Sequence, residues 1–179
     1  MNIQTLLVIG AIILIGGIVV QVNSTLQDTT NKNIEATTIL TALNLAEGMM
    51  SEIRNHRWDN TIGATPGNFQ APSALAKNAG ETYNHNTMTD NFASMNSFNN
   101  FNDTVKVDSI QYQIKVKIVY VSNTDLNTTM TSATNNKKIT VSVRNVLSQG
   151  QYMQSLPSQT LTISYIATYQ QLFNQAQIN

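Results

Sequence analysis

Hydrophobic positions fall into three regimes along the chain. From Leu6 to Val20 (LLVIGAIILIGGIVV) every residue is apolar or glycine. With Ile3 and Val22 the greasy span is about 20 residues, roughly 30 Å as an α-helix, which matches a bilayer core. The second regime is periodic. Ile39, Leu43, Ala46, Met50 and Ile53 recur at spacings of four, three, four and three, which places them on one helical face. Ala36, Leu40 and Met49 widen that stripe. Asp28 and Lys32 stand four apart in the favourable acid-first order. No proline precedes Pro66, and HRWDNTIG from His56 to Gly63 sets basic residues and then turn formers at the end of the pattern. The two regimes together predict one helix of about 55 residues, roughly 80 Å long, apolar on all sides in front and on one face behind.

The third regime follows an irregular stretch over 58–103. Asn84, Asn86, Asn91, Asn96, Asn99, Asn100 and Asn102 crowd into 19 positions downstream of Pro66 and Pro72, and both residue types favour turns. Phe69, Leu75, Tyr83, Met88, Phe92, Met95, Phe98 and Phe101 are the side chains expected to pin this stretch down, with a short helix near Asp90 to Phe98. From Thr104 the period changes to two. Ile110, Tyr112, Ile114, Val116, Ile118 and Tyr120 alternate with Gln111, Gln113, Lys115 and Lys117. After a Thr/Asn loop from Asn123 to Asn136, Ile139, Val141 and Val143 alternate with Thr140, Ser142 and Arg144. A turn near Gly150 to Pro157 leads to Leu161, Ile163, Tyr165, Ala167 and Tyr169. Three such strands predict an antiparallel sheet with one solvated face, whose dry face needs the 36–53 stripe as cover. The fold class is therefore α+β: an apolar helix over 1–25, its amphipathic continuation over 26–57 packed on the head, and a globular head over 58–179.

Composition narrows the functional classes. Asn, Thr, Gln and Ser make up 72 of the 179 residues, only 11% are charged, the net charge is zero, and there is no cysteine. Disulfides, cysteine-based zinc sites and iron–sulfur clusters are excluded. Ten scattered basic residues balanced by ten acidic ones leave no electrostatic footprint for nucleic acid. The first charged side chain is Asp28. Neither a basic start nor a small-x-small cleavage pattern flanks the apolar run, so a membrane helix is expected rather than a cleaved signal peptide.

An apolar N-terminal helix, an amphipathic continuation and a C-terminal antiparallel sheet resemble the type IV pilin and pseudopilin superfamily. LLVIGAIILIGGIVV is similar to that family's assembly helix, and ALNLAEGMMSEIRNHRWDN to the stretch where such helices enter the head. The resemblance implies an inner-membrane precursor whose greasy half then packs into the centre of a helical filament, handled by pilus-type assembly machinery. It assigns Leu6, Leu7, Val8, Ile9, Ile12, Ile13, Leu14, Ile15, Ile18, Val19 and Val20 to the membrane and filament-core surface. Helix–head packing falls to Ile39, Leu43, Ala46, Met50 and Ile53. Three departures stand out. Where the family carries Glu at the fifth mature position, this chain has Thr5 if Met1 is the mature start, and Gln4 and Thr5 offer polar contact through hydrogen bonds alone. No basic leader precedes the apolar run, and the family's disulfide-closed C-terminal loop cannot form. Gly10, Gly16 and Gly17 weaken the apolar helix, and Ile18 to Val20 add β-branched residues. The helix is expected to stretch or lose hydrogen bonds near Gly16 to Val20 in the assembled state.

Catalytic chemistry is poorly represented. Glu52, His56 and Asp59 lie four and three apart, a spacing read as a charge-satisfied helix end rather than a metal set. His85 and Asp90 lack a nucleophile context, and GATPGNF at Gly63 lacks the Lys-Ser/Thr ending of a phosphate loop. No catalytic residue, metal or cofactor is expected. The expected function is structural, a subunit that self-assembles into an extracellular filament on a bacterial surface. The alternatives are a secretion-system pseudopilin and a single-span anchored adhesin.

Overall fold

The structure, a computed structural model, describes residues 2–61, 67–84, 89–146 and 160–169. His85, Asn86, Met88, the whole segment from Gly63 to Pro66, and the turn expected from Gly150 to Pro157 lie outside the described residues. The first element is α1 (Ile3–Asn55), one α-helix of 53 residues. No proline interrupts it, and Arg54 in its last turn suits the helix dipole. The chain divides into two compact units, Met1–Leu40 and Thr41–Asn179.

The first unit is helix throughout. The second holds the last turns of α1, two short 3-10 turns (Pro72–Ala74 and Met95–Phe98), a small hairpin and a larger sheet. The hairpin joins β1 (Tyr83–Asn84) to β2 (Thr89–Asp90). The sheet is a four-stranded antiparallel meander of β3 (Asn102–Val107), β4 (Ile110–Val121), β5 (Asn136–Val146) and β6 (Thr160–Thr168) in sequence order. The arrangement is the α+β class that the alternating patterns imply. β3 goes beyond the three predicted strands. It is an edge strand with no buried residue and carries Asp103 and Lys106, so its alternation is too weak to separate from a loop. The β3–β4 hairpin turns at Asp108, whose φ of 53° lies in the left-handed region that Asp tolerates.

Register builds the core. Ile114 faces Val143, Val116 faces Val141, and Ile118 faces Ile139, while β6 adds Leu161, Ile163 and Tyr165 opposite the same β5 residues. These side chains pack with Ala42, Ala46, Met49, Met50 and Ile53 of α1. The irregular stretch seals one end through Phe92, Met95 and Phe98. Asn99 ties it to the sheet, its Oδ1 accepting from the Ile118 amide at 2.8 Å and its Nδ2 donating to the Leu75 carbonyl at 2.6 Å. On the wet face, hydroxyl pairs Thr140–Ser164 and Ser142–Thr162 join β5 to β6.

Candidate functional site

Residues 3–40 carry the apolar surface. Every large apolar side chain from Ile3 to Leu26 is 45–79% exposed, which includes all eleven residues from Leu6 to Val20 assigned to the filament core. Burying 14 such side chains is worth on the order of 20 kcal/mol or more, so water is an unfavourable environment for this helix. The segment is long and apolar enough to cross a membrane by length and composition. Gln4 and Thr5 are exposed in the first turn, where the amides of Thr5 and Leu6 bond the Asn2 carbonyl. Gly10, Gly16 and Gly17 have open space where a side chain would stand, and helix runs through all three. The stretching expected near Gly16 concerns the assembled state and is not a feature of this single chain.

The polar part of this helix looks after its own hydroxyls. Thr25, Thr29, Thr30, Thr37 and Thr38 each donate from Oγ1 to the backbone carbonyl four residues earlier, at 2.8–2.9 Å. A threonine bonded in this way exposes its methyl group and leaves no donor to be stranded by dehydration. Between these threonines stand Asp28, Lys32 and Glu35, so only the threonine hydroxyls of this segment, and not its charges, are ready to leave water.

The stripe expected to meet the head is buried over its later part and exposed at its start. Ala46, Met50 and Ile53 are buried, Leu43 is half-buried, and Ile39 stays 37% exposed. Of the residues expected to widen the stripe, Met49 is buried while Ala36 and Leu40 are exposed, and Ala42 joins the buried face. The buried positions thus follow a continuous stripe of 42, 46, 49, 50 and 53, in which two alanines leave room for the sheet. Glu52 and His56, both half-buried, approach each other to 3.8 Å. Asp59 does not join them at the helix end as a set; beyond Asn55 the chain turns it inward.

That inward turn creates a buried polar centre. Lys137 is fully buried on β5, where its Nζ donates to the Trp58 carbonyl at 2.6 Å, Asn96 Oδ1 at 2.7 Å and Asp59 Oδ2 at 3.3 Å. Its ammonium also lies 4.4 Å from the Trp58 ring and 5.2 Å from that of Tyr120. Asp59 accepts from the Thr61 amide at 3.1 Å, the Gln70 amide at 3.2 Å and Asn96 Nδ2 at 3.1 Å. The Tyr120 hydroxyl is 2.9 Å from the Gln70 carbonyl and 3.3 Å from Asp59 Oδ2, so its single hydrogen serves one of them at a time. Burial pushes the Asp59 carboxyl up, but the donors from Thr61 and Asn96, the Lys137 charge and the Gln70 amide outweigh it and hold it below the usual range. Burial pulls Lys137 down to about 8 despite the opposing pull of Asp59, and burial followed by the Asp59 charge raises the Tyr120 phenol.

Sequence reasoning missed this centre. One signal was present: Lys137 is in phase with Ile139, Val141 and Val143, which places it on the dry face opposite Tyr120 and Ala167. Nothing in the irregular stretch marked Asp59 or Asn96 as its partners. Among the described residues no group of three or more His, Asp or Glu is arranged to hold a metal. No protein-family model, characterised protein or solved structure matches this chain. The long apolar helix and small antiparallel sheet are compatible with a pilin-like architecture.

Proposed function

We propose that the chain is a structural subunit that passes from a bacterial inner membrane into an extracellular, pilus-like homopolymer, with residues 3–25 packed among the same residues of neighbouring copies. The observation that carries this reading is the continuous exposure of apolar side chains around the whole circumference of the helix from Ile3 to Leu26. An all-round apolar helix is at home in lipid, and equally among copies of itself, so transfer between the two costs little and is decided by packing. The self-bonded Thr25, just past the apolar span and before the first charge at Asp28, supports it, because its hydroxyl needs no partner from a neighbouring copy. The zero net charge also limits repulsion between copies. Pilus-type machinery would extract the subunit, and Gly16 to Val20 is the segment proposed to lengthen in the fibre.

The test is electron microscopy of the full chain, purified in detergent and imaged after detergent removal. Long fibres containing only this chain are the expected result, and a fibre map should show widened hydrogen bonds near Gly16 to Val20. Reinsertion into vesicles as a monomer would replace the reading with that of a single-span anchored head, and short assemblies that end in a different subunit would favour a pseudopilin.

A further inference from the structure

We propose that Lys137 and Asn96 join through an intramolecular amide bond, formed by the protein itself with Asp59 as the proton-transferring group. Three features of the buried centre carry this. The Lys137 amine contacts the Asn96 carboxamide oxygen at 2.7 Å, within reach of the carbon to which that oxygen is bonded. One oxygen, Asp59 Oδ2, lies 3.3 Å from the amine and 3.1 Å from the Asn96 amide nitrogen, so it touches both the nucleophile and the leaving group. Lys137 and Asn96 are both 0% exposed, with Trp58 and Tyr120 against the amine, which keeps out the water that would otherwise compete. A desolvated lysine is also an activated nucleophile, and its depressed affinity for a proton makes the neutral amine accessible near neutral pH.

The step balances without any further reagent. Asp59 takes a proton from the Lys137 ammonium, and the neutral Nζ attacks Cγ of Asn96 to give a tetrahedral centre. Asp59 then passes its proton to Nδ2 and removes a second proton from Nζ. The Cγ–Nδ2 bond breaks, ammonia leaves, and Lys137 Nζ is left in amide linkage to Asn96 Cγ, with Asp59 carrying one proton. Holding amine, carboxamide and carboxylate together supplies the effective concentration that free lysine and asparagine lack. The product ties the 3-10 turn Met95–Phe98 to β5, a covalent staple in a chain without cysteine.

Mass spectrometry of the purified full chain decides the matter. The expected intact mass is about 17 Da below that calculated from the same chain termini, the loss of one ammonia. Trypsin should then fail to cleave after Lys137 and should yield Asn78–Lys106 covalently joined to Ile118–Lys138. Recovery of Asn78–Lys106 and Ile118–Lys137 as separate peptides from wild-type protein at its full calculated mass would overturn the proposal. Lys137→Arg retains a cation without the reactive amine and should show no ammonia loss. Asp59→Ala should also keep the full mass, and a cross-link persisting in it would overturn the role given to Asp59. The wild-type measurement stands by itself should either variant fold poorly.

Discussion

A carboxylate withdrawn from water is stable only if donors replace its hydration, and Glu81 is the clearest case outside the Lys137 centre. It is 8% exposed, and its oxygens accept from the Asn78 amide at 2.6 Å, Asn78 Nδ2 at 2.9 Å and the Ala93 amide at 2.8 Å. Burial alone would raise its pKa; the donors more than compensate and leave it below the ordinary value. The unfolded chain therefore begins to bind a proton at a higher pH than the folded one. The stability that Glu81 contributes is complete above the unfolded pKa and is lost as pH falls through the lower, folded one. Glu81→Gln should cost about 1–2 kcal/mol at neutral pH, and the gap between wild type and variant should narrow as acid protonates the folded-state carboxylate. Denaturant unfolding of the detergent-solubilised chain, followed by the fluorescence of its single tryptophan, Trp58, would measure both. At this scale little was legible in advance. Lys137 could be placed on the dry face by its phase with Ile139, but Glu81, Asp59 and Asn96 sit in a stretch without period. Beside near neighbours such as Asn78 and Thr61, each has a partner 12, 78 or 41 positions away, at Ala93 or Lys137.

Periodicity carries far more at the scale of elements. The uninterrupted helix was readable because no proline interrupts it before its end, and β4, β5 and β6 because each alternates apolar and polar residues over a half-buried sheet. β3 was not, since an edge strand needs no buried residue. The amphipathic stripe keeps the phase its spacing predicts, but its buried part starts later along the helix. Counting large apolar residues starts it at Ile39, whereas the buried apolar residues start at Ala42, a small residue that such a count passes over. This difference predicts an asymmetry. Ile53→Ala should destabilise the fold by about 2–5 kcal/mol, because Ile53 is fully buried and leaves a cavity. Ile39→Ala should stay within about 0.5 kcal/mol, because its side chain remains more than a third exposed. Comparable losses for the two variants in denaturant unfolding would move the start of the buried stripe back to Ile39.

For the molecule as a whole, the division of polarity along the sequence determines what kind of force can drive association. No side chain before Asp28 is charged, and the complete chain carries ten positive and ten negative groups. Two copies approaching one another thus meet little net field, while the surface proposed to join them is apolar and offers hydrogen-bonding groups already satisfied within the helix. Salt screens charges over a Debye length of about 10 Å at 0.1 M and about 3 Å at 1 M, but leaves apolar packing almost untouched. The concentration at which fibres first form should therefore change by less than about threefold between 0.05 and 0.5 M sodium chloride. Sedimentation of detergent-free protein across that range would measure it. A shift of about tenfold or more would mean that charged groups after Asp28 hold the copies together, and the apolar helix would then serve as a membrane anchor alone. Substituting Lys for Leu14 separates the same two cases. A single charge amid an apolar helix interface has no partner within the first 27 residues, so fibre yield should collapse while the head, which does not include Leu14, keeps its unfolding midpoint.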